Sequence, residues 1–146
     1  MPLIVVGADT PAGENILERL DATAREIRVF VSDEATGLQL RARGFKVATG
    51  DVSDESHVEA AAMRCFSAVL ITEAARDDRE RAFASTAGDV LEGWARAMKG
   101  SDVTRVIWVA EDRHPETQAR EVTSVRPSDP GFAETVVALD DAHSIS

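Results

Sequence analysis

Short apolar runs alternate with amphipathic stretches along this chain, and that alternation settles most of what it can fold into. Leu3-Ile4-Val5-Val6 is a four-residue apolar run closed by Gly7, which predicts a buried strand. Ile27 to Val31 is β-branched and aromatic, a second strand. Phe45 to Ala48 alternates in polarity, as an edge strand does, and Ala68 to Ile71 and Val103 to Val109 complete a set of five. Helical spacing fills each gap. Thr10 stands as N-cap and Pro11 as first helical residue ahead of Ala12, Ile16, Leu17 and Leu20. Ser32 and Asp33 precede a helix with Ala35, Leu38 and Ala42 on one face, and Gly44 stops it. A third helix starts near Ser53 or Asp54 and carries Val58, Ala61, Ala62 and Cys65. A long fourth, ended by Gly100, has Phe83, Ala87, Val90, Leu91, Trp94 and Met98 as its core face. Helices between strands force crossover connections and parallel pairing, and right-handed crossovers give an α/β doubly wound sheet in the order 3-2-1-4-5.

Beyond Ala110 the pattern weakens. Val122 to Arg126 is a candidate sixth strand, Ser128-Asp129-Pro130-Gly131 is a turn cluster, and Phe132 to Leu139 fits a short helix or a strand. We expect one domain over residues 1–146, with 111–146 irregular and standing where a substrate domain would be.

The segment Gly7-Ala8-Asp9-Thr10-Pro11-Ala12-Gly13 joins the first strand to the first helix, where a dinucleotide-binding turn belongs. In such a turn one glycine lets the chain leave the strand sharply. A second lets backbone N–H groups approach a pyrophosphate, and a third lets helix and strand pack closely. Gly7 and Gly13 fill the first and third roles. Thr10 holds the second, as helix cap or as a hydroxyl for phosphate, and Asp9 brings a negative charge to a place suited to anions.

Composition excludes much else. Asp and Glu number 26 against 16 Lys and Arg, a formal charge of −10, which argues against nucleic acid and anionic membranes as partners. No apolar run is long enough to span a membrane, and no signal peptide is recognisable, so a cytoplasmic location is expected. One cysteine, Cys65, makes no internal disulfide and reads as a buried small residue. His57, His114 and His143 lack the spacing of a helical zinc pair, and no metal is expected. There is no tyrosine in the 146 residues. Glu111, Asp112 and His114 cluster after the fifth strand, as a general acid–base pair or as a solvated loop. Arg76, Arg79 and Arg81, interleaved with acids, form either an anion site or a charge-balanced approach to the long helix.

With LIVVGADTPAG, RVFVSD, GFKVATGDVSD, TAGDVLEGWARAMKG, VTRVIWVAED and SVRP in this order, residues 3–127 resemble the atypical short-chain dehydrogenase/reductase group. Its NmrA-like and NAD(P)H-binding Rossmann proteins are the nearest. The resemblance implies a dinucleotide site. Gly7, Thr10 and Gly13 would line the pyrophosphate with Pro11 and Ala12 between them. Asp33, about 20 residues on, would take ribose hydroxyls or else cap its helix. Asp51 and Val52 would contact adenine, or Asp51 would serve only the turn beside Gly50. Thr72 and Glu73 would reach the rim. Ser32 replaces the arginine with which many members hold the extra phosphate of NADP, so NAD is favoured.

The catalytic Ser-Tyr-Lys of the group is missing: the fifth strand ends Val109-Ala110-Glu111, and no lysine follows Lys99. Three functions are therefore expected in turn. The first is a non-catalytic NAD(P)-binding-type module acting as redox-state sensor or regulator. The second is a structural protein without cofactor, self-associating as a homodimer through Trp94 and Met98 of the long helix. The third is an oxidoreductase with catalysis rebuilt on Glu111, Asp112 or His114.

Overall fold

A computed structural model of the chain describes residues 1–145. Strands β1 (Leu3–Val6), β2 (Ile27–Val31), β3 (Lys46–Thr49), β4 (Ser67–Ile71), β5 (Arg105–Val109) and β6 (Glu121–Val125) form one sheet. Its order is β3-β2-β1-β4-β5-β6 and every pairing is parallel. The helices are α1 (Pro11–Leu17), α2 (Glu34–Ala42), α3 (Glu55–Ala62), α4 (Ala87–Gly100) and α5 (Phe132–Asp141). The expected strand order holds, and the candidate sixth strand extends it beside β5.

Both faces of the sheet are covered, as an all-parallel sheet requires. Alternate strand residues point to opposite sides. Ile4, Val6, Leu70 and Trp108 pack with Trp94 and Met98 under α3 and α4. Leu3, Val5, Val69 and Ile107 pack with Ile16, Leu40 and Val136 under α1, α2 and α5. The two indoles stack with centroids 6.4 Å apart, and Trp94 Nε1–H donates to the Val52 carbonyl at 2.8 Å, so the polar edge of Trp94 is satisfied.

Four expectations are corrected. Trp94 and Met98 are fully buried, so they offer no self-association surface. Phe83 precedes α4 and is 68% exposed, because the chain before Ala87 runs over the top of the sheet without helical structure. Ala35, Leu38 and Ala42 all face solvent, since α2 approaches the sheet through Gly37 and Leu40.

Residues 111–146, expected as irregular, contain β6 and α5. Helix α5 buries Phe132, Ala133 and Val136 and packs beside α1. Arg105, fully buried on β5, holds this part in place. Its guanidinium pairs with Glu121 at 3.0 Å and donates to the carbonyls of Leu139 at 2.8 Å and Ala142 at 2.7 Å, satisfying the open end of α5. Among the described residues no helix is long and apolar enough to cross a membrane.

Trp94→Ala removes the largest buried ring of the α3–α4 face. We expect a loss of about 3–5 kcal/mol in unfolding free energy, measured by urea titration.

Candidate functional site

The carboxyl ends of β1, β2 and β3 open onto a crevice of about 580 Å³, at the side of the sheet where open α/β folds take ligands. The first turn stands beside it and contributes Asp9 to its lining. Gly7 has φ +87°, a left-handed conformation that a side chain would strain. A Cβ on Gly13 would stand 2.6 Å from the Gly7 carbonyl oxygen and 2.7 Å from the Ala8 Cα, so α1 sits against the end of β1 as closely as backbones allow. This is the geometry a dinucleotide turn needs at its first and third positions.

The second position works differently. Thr10 Oγ1 donates to the Gly7 carbonyl at 2.7 Å and accepts from Gly13 N–H at 3.0 Å, so the hydroxyl is spent on the loop and on the helix cap. Pro11 has no N–H, and Glu14 N–H already bonds the Thr10 carbonyl at 2.9 Å, which leaves the Ala12 N–H for an anion at this end of α1. Thr10 and Pro11 also line a separate groove of about 240 Å³ between α1 and α2.

Asp9 organises the crevice wall. Its side chain is 6% exposed. Oδ2 accepts from the N–H groups of Ser32 at 2.8 Å and Asp33 at 3.2 Å, while Oδ1 pairs with Arg79 at 2.8 Å. The charge expected to repel phosphate is thus matched by a cation from the segment after β4. Arg79 also pairs with Asp77 at 2.7 Å and donates to Ser32 Oγ at 3.3 Å. Burial opposes the Arg79 charge, but the hydrogen bonds and charges of Asp77 and Asp9 outweigh it and hold the guanidinium protonated. Nothing in the local sequence marks Arg79 apart from Arg76 and Arg81. Its role comes from a fold that carries it to the far end of the turn.

The remaining expected residues fall in distinct places. Asp33 caps α2, accepting from Thr36 N–H at 3.0 Å and its hydroxyl at 2.6 Å, with its side chain at the crevice rim. Asp51 lies in the crevice wall. It accepts from Ser53 N–H at 2.8 Å and from Ala82 N–H at 2.7 Å. Val52 is fully buried, and Thr72 Oγ1 donates to the Val109 carbonyl at 3.2 Å, joining the ends of β4 and β5.

Of Glu111, Asp112 and His114, the latter two line one open pocket with Arg76, Arg113 and Ser124, and Glu111 lies apart from it. Glu111 accepts from Ser128, Asp112 pairs with Arg76 at 3.2 Å, and His114 stacks on Trp108 with centroids 5.2 Å apart. Among the described residues no group of three His, Cys, Asp or Glu side chains is placed to hold a metal ion. Cys65 is buried, which pushes its thiol up to about 11.

Residues 3–122 match the model of a known family. The chain belongs to the TrkA-N domain family. It is a Rossmann module of NAD(P)-binding type. No curated protein matches the sequence.

Solved structures that share the TrkA-N domain's fold include an NADPH-dependent quinone oxidoreductase of Escherichia coli, QOR2, in complex with NADPH. It is 19% identical with TM-score 0.57, covering 74% of this chain and 36% of that one. A triphenylmethane reductase of Citrobacter sp., in complex with NADP(H), is 14% identical with TM-score 0.60, covering 75% and 37%. The anaerobillin reductase ChuY of Escherichia coli O157:H7 is 26% identical with TM-score 0.52, covering 75% and 50%. This chain therefore spans about a third to a half of the length of these proteins.

Two crevice carboxylates make its upper wall acid-sensitive. Burial pushes Asp51 up, but hydrogen bonds from Ser53 and Ala82 and the charge of Arg81 outweigh it, and its pKa lies below the usual range. Burial likewise raises Asp77, and the bonds and charges of Arg79 and Arg81 bring it down. Both groups bind protons less readily folded than unfolded. Their contribution is complete above the ordinary Asp value of about 3.9 and is lost as pH falls through the lowered folded values. We expect a melting temperature little changed by these groups from about pH 7 to 5 and declining below about pH 4, with Asp51→Asn reducing that decline.

Proposed function

We propose that the chain is an NAD(H)-binding module that senses or reports a dinucleotide rather than turning over a substrate. The observation that carries this reading is the Gly7–Gly13 turn, packed so tightly that a Cβ at either glycine would meet the chain itself, beside a crevice at the strand ends. The backbone fits the group. The turn from Gly7 to Gly13, with the Ala12 N–H, would hold the pyrophosphate. Asp33 and Asp51, at the ends of β2 and β3, would face the ribose and adenine.

Electrostatics favours the cofactor without the extra phosphate. Six carboxylates, Asp9, Asp33, Asp51, Asp77, Asp78 and Glu80, line the crevice against one guanidinium, Arg79, which already has two acidic partners. A like-charge pair at ~4 Å costs about 1 kcal/mol even in bulk water, and more where burial lowers the dielectric. A 2′-phosphate would meet several such charges.

The non-catalytic role is supported by side-chain chemistry. A bound nicotinamide supplies hydride transfer, but a carbonyl substrate also needs a proton donor beside it. The 146 residues contain no tyrosine, and Glu111, Asp112 and His114 are turned to separate partners. This chain spans about a third to a half of the length of the reductases that share its fold.

Calorimetric titration with NADH and NADPH tests this. We expect NADH to bind and NADPH to bind at least about tenfold more weakly. Heat absent for both, or NADPH the tighter ligand, contradicts the proposal.

A further inference from the structure

Segment 77–83 comes after β4 and a short 3-10 turn (Thr72–Ala75), has no regular secondary structure, and lines one side of the crevice through Asp77 to Glu80. It reaches four anchors beyond three strands. Arg79 bonds Asp9, after β1, at 2.8 Å and Ser32 Oγ, after β2, at 3.3 Å. Ala82 N–H donates to Asp51 Oδ2, after β3, at 2.7 Å, and Phe83 N–H donates to Ser53 Oγ at 3.0 Å. Arg81 folds back within the segment, donating to the carbonyls of Ala75, Arg79 and Asp77. These are polar contacts at the same strand ends that an adenosine would need.

We propose that residues 77–83 are a strap latched across the adenosine end of the crevice by Arg79 and Asp9, and that a dinucleotide must lift it to bind. The inference rests on the NAD(H) reading above and adds its regulation.

Three features make the strap releasable. Its hold is polar: Phe83, its large apolar side chain, is 68% exposed and adds little burial. Arg79 is paired with Asp77 within the strap at 2.8 and 2.7 Å, so it keeps a counter-ion when it leaves Asp9. Asp9 in turn keeps the N–H groups of Ser32 and Asp33. Neither charge is stranded by opening, which removes the main penalty for parting a buried pair. The closed state then lowers the apparent affinity by the fraction of molecules that are open.

Two variants separate latch from ligand contact. Arg79→Gln removes the ion pair, and Ala82→Pro removes the N–H that reaches Asp51 without touching Asp9. Each is titrated with NADH beside the unaltered chain, and amide hydrogen exchange is followed in all three free proteins. We expect both variants to bind NADH about tenfold more tightly, with faster exchange over residues 77–83 and unchanged exchange in β1, β4 and β5.

Unchanged or weaker binding in both variants, while the unaltered chain still titrates, overturns the strap. Unchanged exchange over 77–83 in both variants overturns it without reference to any ligand. If no form takes up NADH, the dinucleotide reading itself fails and the strap's competition with it, an outcome marked by silence of the unaltered chain. Should Arg79→Gln fold poorly, Ala82→Pro carries the test alone.

Discussion

Asp9 is a charged side chain almost out of water, and the ends of three elements are arranged to keep it satisfied. A buried carboxylate without partners would take up a proton or unfold its surroundings. Here two backbone N–H groups at the end of β2 and one guanidinium from beyond β4 meet it. That demand ties the end of β2 to the first turn and draws the 77–83 segment over the sheet. The turn beneath it is fixed by sterics instead. At Gly13 the backbones of α1 and the end of β1 leave no room for a Cβ. A closely packed turn and an ionic crevice wall thus come from two neighbouring stretches of one loop.

The scaffold was legible because its signals are local. Alternating apolar runs gave the strands and their order, and Thr10, Asp33 and Asp54 each cap the helix that follows. Errors arose where packing depends on distant partners. Leu38 matched a helical apolar face, but α2 is seated through Gly37 and Leu40. Phe83 matched the α4 stripe, yet the backbone before Ala87 is committed to Asp51 and Ser53. The C-terminal part looked irregular because its order depends on Arg105, whose bonds reach more than thirty residues along the chain to Leu139 and Ala142.

The site was legible only in its backbone. The glycine spacing marked the turn, and the acidic residues after β2 and β3 could be placed at the strand ends. Thr10 and Asp33 take the cap roles and Asp51 the turn role that their positions also allowed, while the bonds that arrive from segment 77–83 depend on the fold. Thr10, Asp33 and Asp51 all make hydrogen bonds within the chain, and Arg79, which completes the wall, sits in a charge-rich stretch that reads as solvated. An acidic crevice around a dinucleotide turn separates this TrkA-N domain from a simple anion cradle. The same acidity is the ground on which we propose a dinucleotide without the extra phosphate.

The central claim is that the Gly7–Gly13 turn and the ends of β2 and β3 receive a dinucleotide. Backbone amide spectra of the ¹⁵N-labelled protein, recorded as NADH is added, test it most directly. The account predicts shifts that saturate at Ala8, Ala12, Asp33 and Val52 and at the amides of the 77–83 segment. Spectra that stay unchanged at excess NADH, or shifts confined to the opposite edge of the sheet around Arg105 and Glu121, would contradict it.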